Sequence, residues 1–299
     1  MRSFLKRITL LLVLTSTLIM QSEGGDTFAA GTDRQLKVAV SIRPIHSIVA
    51  SIMQGVSSPA LIVKQSQSPH HANLKPSQAN ILAKADIVFW IGPELETFLQ
   101  KSIYSTTGEA KAFQLSKIAG LQLLSLSHGQ PDPHIWLSVE NADTIAEFVT
   151  NRLIEANPSS AKNYRKNLAQ FQLDMDVLQL ELEAILESQK NHNFLVYHDA
   201  LRYLEHKFQF HAQAINVGNE EITAGARQIV AIGKLMRSRK FQCLLVEPNI
   251  NATAIISMAE DSEIPIAVLD PLGLELPAGP DLYGQMMRNL ATIIANCSK

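Results

Sequence analysis

Nine histidines are spread over the 299 residues of this chain, and three of them, with one aspartate, fall at positions suited to metal chemistry. His70 ends the polar stretch Ser68-Pro69-His70. His134 sits in Asp132-Pro133-His134-Ile135-Trp136-Leu137, a proline-bracketed loop. His198 directly follows the apolar run Phe194-Leu195-Val196-Tyr197, and Asp270 directly follows the run that ends in Val268-Leu269. Three neutral imidazoles and one carboxylate form a nitrogen-rich, borderline-soft donor set that suits zinc and is poor for magnesium or calcium. Each residue also has an ordinary reading, because a lone histidine is more often a core or surface residue and an aspartate before a proline starts turns. His46, His71, His128, His192, His206 and His211 are expected to be structural or solvated. His71 and His128 are the nearest exceptions, as neighbours of the proposed ligands.

The four residues need a scaffold that brings them together. Short apolar runs at residues 36–42, 60–63, 87–91, 194–197, 243–246 and 264–269 read as strands. Helical spacing occupies residues 44–54, 76–85, 94–102, 224–239 and 281–295, and a further helix opens near Val139. Strands alternating with helices imply mostly parallel sheet. Residues 158–189 contain no Gly or Pro after Pro158, which suits a first helical turn with Asn157 as its cap. The expected fold is therefore α/β, with two lobes, each a mostly parallel sheet flanked by helices, joined by one long rigid helix. In such sheets, ligands bind beyond the carboxyl ends of the strands. His198 and Asp270 fall at that edge of the second sheet and His70 at the corresponding edge of the first, so the four would meet in a cleft between lobes.

At the amino terminus, Arg2, Lys6 and Arg7 precede an apolar run over residues 8–20 and then small and polar residues up to Ala30. That pattern is a signal peptide, with cleavage expected after Ala29. The domains follow as residues 1–29 signal peptide, 30–157 amino-terminal metal-binding lobe, 158–190 linker helix and 191–299 carboxy-terminal metal-binding lobe. The region holds no cysteine for a lipid anchor, which points to a periplasm. A net charge of -2 with scattered basic residues gives no footprint for nucleic acid or an anionic membrane. The only cysteines are Cys243 and Cys297. In an exported chain such a pair is expected as a disulfide, with two buried thiols as the alternative.

Seven segments, spread over nearly the whole mature chain, carry a resemblance. They are Val40-Ser41-Ile42-Arg43-Pro44; Pro69-His70-His71 with Leu74-Lys75-Pro76-Ser77; Ala85-Asp86-Ile87-Val88 with Trp90-Ile91-Gly92-Pro93; the His134 loop; Tyr197-His198-Asp199-Ala200; Glu247-Pro248; and Leu269-Asp270-Pro271-Leu272-Gly273. In this order they resemble the periplasmic zinc-binding proteins of bacterial ABC importers, the ZnuA type within the metal-binding solute-binding protein family. The resemblance implies that the chain is not an enzyme but a monomeric carrier. It would bind Zn2+ as the transported ligand and meet a membrane permease with its cytoplasmic ATPase. The family's first histidine stands six residues before the proline of its Leu-basic-Pro-Ser segment, which selects His70 over His71. The other ligands map to His134, His198 and Asp270, and the zinc-type disulfide maps to Cys243 and Cys297.

The same resemblance frames the alternatives. Manganese-type relatives generally replace the third histidine by a glutamate further along the chain, and Glu220 and Glu221 lie in that region, so a manganese or iron carrier is the nearest competitor. The family's histidine- and acid-rich loop before the second ligand is short here, with only His128 and Asp132 in residues 125–132. A zinc hydrolase would need an open coordination position and a nearby base. No His-Glu-x-x-His pattern occurs, and Glu247 is the only tempting base. Asp199, Glu247 and Asp132 are candidates for orienting the rings from behind.

Overall fold

The computed structural model describes residues 35–63, 68–70, 72–106, 111–126, 129–216, 226–238, 240–248 and 252–297. The first sheet contains β1 (Val38–Val40), β2 (Ala60–Leu61), β3 (Ile87–Trp90) and β4 (Lys111–Gln114), in the order β2-β1-β3-β4 and parallel throughout. β1 and β3 lie in the middle and every residue in them is buried. A strand covered on both faces needs a continuous apolar run, and Val38-Ala39-Val40 and Ile87-Val88-Phe89-Trp90 supply one each. The second sheet repeats the plan with β5 (Asn193–His198), β6 (His211–Asn216), β7 (Cys243–Val246) and β8 (Ile266–Val268), in the order β6-β5-β7-β8.

Helices α1 (Arg43–Met53), α2 (Pro76–Lys84), α3 (Thr97–Thr106) and α4 (Val139–Ala156) follow in the first half, and α6 (Arg202–Phe208), α7 (Ala226–Arg237), α8 (Thr253–Asp261) and α9 (Leu282–Cys297) in the second. Between the halves runs α5 (Ala161–Leu186), flanked by short 3-10 turns at Pro158–Ser160 and Glu187–Gln189. Its 26 residues reach about 39 Å at 1.5 Å per residue. It buries Tyr164, Phe171, Met175, Leu178, Leu182 and Leu186 along one side. The start differs in detail from expectation: Asn157 caps no backbone N–H with its side chain, and its Oδ1 accepts from the Ser159 hydroxyl at 2.6 Å instead.

One core cluster extends through both halves, from Val40 and Phe89 through Trp136 and Tyr164 to Phe194, Tyr283 and Leu290. The halves are also stitched by hydrogen bonds. The Ser47 hydroxyl donates to the Pro280 carbonyl (2.8 Å) and accepts the Tyr283 N–H (2.9 Å), and the Tyr283 hydroxyl donates to the Trp136 carbonyl (2.8 Å). Apolar continuity of this kind resists a free hinge, in accord with a sequence that lacks a Gly/Ser linker.

Four elements escape the periodicity reading. Strands β4 and β6 are sheet edges, and their sequences Lys-Ala-Phe-Gln and His-Ala-Gln-Ala-Ile-Asn mix polar and small residues because one flank needs no apolar cover. Helices α6 and α8 have only seven and nine residues, too few for a clear apolar stripe. Helix α3 starts later than expected because Glu94 and Leu95 lie in the preceding turn, where the Glu96 carboxylate accepts the Gly92 N–H at 3.0 Å. Cys243 and Cys297 form a disulfide that ties β7 to the end of α9, with Cα atoms 5.7 Å apart.

Candidate metal centre

In both sheets the strand order reverses between the two central strands, which makes the cleft beyond their carboxyl ends the natural ligand position. In the second sheet that position is occupied by chemistry. His198 is the last residue of β5, Glu247 is the residue after β7, and the His198 Nδ1 lies 2.9 Å from Glu247 Oε1. Both side chains are mostly buried. An imidazole beside a carboxylate donates its Nδ1 proton to it, leaving Nε2 as the basic nitrogen.

His134 is held still more firmly. It precedes the 3-10 turn Ile135–Leu137 and is 3% exposed. The buried Asp132 carboxylate accepts from both its backbone N–H (2.9 Å) and its Nδ1 (2.6 Å), through the same Oδ1. Its Nε2 is buried and makes no hydrogen bond among the described residues. A buried imidazole nitrogen in that state, with the opposite nitrogen fixed by a carboxylate, has the geometry of a metal ligand. The loop is braced from the second half by Tyr203, whose hydroxyl donates to the Asp132 carbonyl (3.1 Å) and accepts the Leu124 N–H (3.4 Å). Burial pushes the Tyr203 phenol up to about 12, so it remains a donor throughout the neutral range.

His70 reaches the same place from the loop after β2, with its N–H bonded to Ser68 Oγ at 3.3 Å. The three rings face one another, with centroids 5.5 Å apart for His70 and His134, 5.1 Å for His70 and His198, and 4.8 Å for His134 and His198. One ring nitrogen from each lies within 4.8 Å of the other two. Two tetrahedral ligand atoms each about 2.0–2.1 Å from a zinc ion stand roughly 3.4 Å apart, so a small contraction would let one ion touch all three.

Asp270 is near the ends of β8 but does not join that group of facing ligand atoms. Its Oδ1 accepts the Leu272 N–H (3.1 Å) and its Oδ2 the Glu275 N–H (3.3 Å), the work of a turn-starting aspartate. Burial pushes its carboxyl up from the ordinary value, and the surrounding N–H groups oppose that shift. Of the expected outer carboxylates, Asp132 and Glu247 hold rings, whereas Asp199 pairs with Arg202 at 3.2 Å. His46 is a buried core residue whose Nε2 lies 3.1 Å from the Pro59 carbonyl oxygen. His71, His128, Glu220 and Glu221 lie outside the described residues.

Residues 38–297 match the family model described as ZnuA, zinc-uptake complex component A, periplasmic. The chain belongs to that family. Among ZnuA relatives, the high-affinity zinc uptake system protein ZnuA of Brucella abortus (strain 2308) is 34% identical over 304 residues, covering 87% of this chain and 91% of its own. A crystal structure of ZnuA has the same fold, with a TM-score of 0.78 at 22% identity over 88% of this chain and 99% of that one. The periplasmic zinc-binding protein TroA from Treponema pallidum matches with a TM-score of 0.78 at 20% identity, over 89% and 100% of the two chains. The ZnuA fold thus accounts for the two sheets and the connecting helix. Arg43, Trp136 and Tyr203 carry contacts that no spacing rule foretells, since their partners lie 71 to 233 residues away.

Proposed function

We propose that this chain captures zinc in the periplasm and hands it to an ABC-type membrane importer, with zinc as cargo and no catalytic step. The observation that carries the reading is the group of three imidazoles drawn from both halves, two of them backed by carboxylates. Carboxylate-backed imidazoles are good zinc ligands, and the chain's family is one of zinc-uptake components. In this reading His70, His134 and His198 bind through their ring nitrogens and Asp270 supplies the fourth ligand through a carboxylate oxygen. The histidine at position 198 supports zinc over manganese, which favours oxygen donors.

Residues 1–29 act as the export signal in this account, and residues 30–157, the linker 158–190 and residues 191–299 are the working parts of a periplasmic carrier. The partners are a permease and its ATPase. Titration of chelator-stripped protein with zinc and with manganese, in competition with a chelator of known affinity, tests the reading. Tight one-to-one zinc binding, weaker manganese binding and a large loss of zinc affinity in His198→Ala are expected. A manganese preference, or a His198→Ala variant that binds zinc as the wild type does, would overturn it.

A further inference from the structure

Arg43 is a cation buried at the junction of the two halves, 6% exposed, and Asp270 and Glu275 are the acidic groups that favour its charge. It opens α1 in the first half, directly beyond β1. Its guanidinium nonetheless bonds the second half, with Nε donating to the Gly273 carbonyl at 3.0 Å and Nη2 donating to the Leu276 carbonyl. Those two carbonyls belong to the turn that begins at Asp270 and is closed by the Asp270 carboxylate on the Leu272 and Glu275 N–H groups. Gly273, with φ of +63°, gives this turn a backbone shape that other residues rarely adopt. A second donor from the first half grips the same turn: the Trp136 Nε1, two residues beyond His134, donates to the Pro271 carbonyl at 2.8 Å.

We propose that Arg43 is a positioning residue for metal capture, a fork that reaches across the lobes and sets where the Asp270 carboxylate stands relative to the three imidazoles. The proposal rests on the reading of Asp270 as fourth ligand. Asp270 is anchored within its own turn, so it can meet an ion between the imidazoles only if the whole turn is registered against the first half. The planar guanidinium, with several donors in a rigid fork, fixes two carbonyls at once, and a lysine ammonium cannot reproduce that arrangement. The cost of burying a cation lowers the Arg43 pKa, and Asp270 and Glu275 oppose that shift. A residue needed only to close the core would not require a charge.

The test is a double-mutant cycle on zinc affinity with Arg43→Met and Asp270→Ala, with Arg43→Lys as a milder variant should Arg43→Met fail to fold. Visible absorption of the cobalt-loaded proteins is read alongside, because its bands report ligand number and geometry and a merely structural residue would leave them unmoved. Supporting groups behind a metal ligand typically contribute about 10–100-fold in affinity. Arg43→Met and Arg43→Lys are each expected to lose zinc affinity in that range and to shift the cobalt spectrum towards that of Asp270→Ala. Neither should weaken Asp270→Ala further. If the losses are additive, or if cobalt spectra of the Arg43 variants match the wild type, Arg43 does not act through Asp270 and the proposal fails. If Asp270→Ala itself binds zinc with wild-type affinity, the fourth-ligand reading fails first and takes the proposal with it.

Discussion

Replacing Asp132 by asparagine is expected to weaken zinc binding about 10–100-fold while leaving a folded protein. The side chain of Asp132 is 0% exposed, and its Oδ1 accepts two hydrogen bonds from His134, at 2.6 Å from the ring and 2.9 Å from the backbone. An asparagine oxygen can still accept both, so the ring keeps its orientation. What is lost is the negative charge that stabilises the positive charge brought by the ion. That range corresponds to about 1.4–2.7 kcal/mol of binding free energy. The other oxygen, Oδ2, is buried without a hydrogen-bond partner among the described residues. An amide NH2 in its place would find no acceptor, which adds a cost on the order of 1–3 kcal/mol to the stability of the metal-free protein. Competition titration with a chromogenic chelator reads the first effect and thermal unfolding of the stripped protein reads the second. Asp132→Asn protein with unchanged zinc affinity would refute the reasoning that the carboxylate tunes His134.

Glu96 is fully buried, and burial pushes its carboxyl up to about 7 against the hydrogen bond it accepts from the Gly92 N–H. The folded state keeps a proton that the unfolded chain releases near 4.5, so the stability linked to this group is full below that pH and is lost as pH rises through about 7. Glu96→Gln cannot ionise, and its stability relative to wild type should therefore rise between pH 5 and pH 8, by an amount on the order of 3 kcal/mol at most; parallel profiles of Tm against pH would contradict this. The disulfide joins residues 54 apart in sequence, and loop-closure entropy puts its contribution at about 4 kcal/mol, so Cys297→Ser should unfold at a clearly lower temperature. Zinc at a free concentration about 1,000 times its Kd should raise stability by about 4 kcal/mol, and a Tm indifferent to zinc would count against a site in the folded state.

Much of this was legible in the sequence because its causes are local. Central strands such as Ile87-Val88-Phe89-Trp90 are apolar throughout because both faces are covered, and the apolar run Cys243–Val246 marks the bounds of β7 for the same reason. The edge at which His198 stands was legible by position: a residue at the carboxyl end of a mostly buried strand lies at the ligand edge of the sheet. The edge strands β4 and β6 were not, since a strand with an open flank can mix polar and small residues. Asp270 shows a different limit. Its place after β8 was readable, but not that its carboxylate is engaged by the Leu272 and Glu275 N–H groups. The Arg43 fork and the Tyr203 brace depend on chain segments meeting across the two halves, and no local pattern encodes such partners.

Anomalous diffraction at the zinc edge from crystals of the zinc-loaded protein tests whether the three imidazoles and Asp270 hold the ion. The account predicts one strong peak about 2.0–2.1 Å from a ring nitrogen of each of His70, His134 and His198, with an Asp270 oxygen completing the tetrahedron. A principal zinc peak elsewhere in the molecule, or one held by fewer than two of these imidazoles, would contradict it.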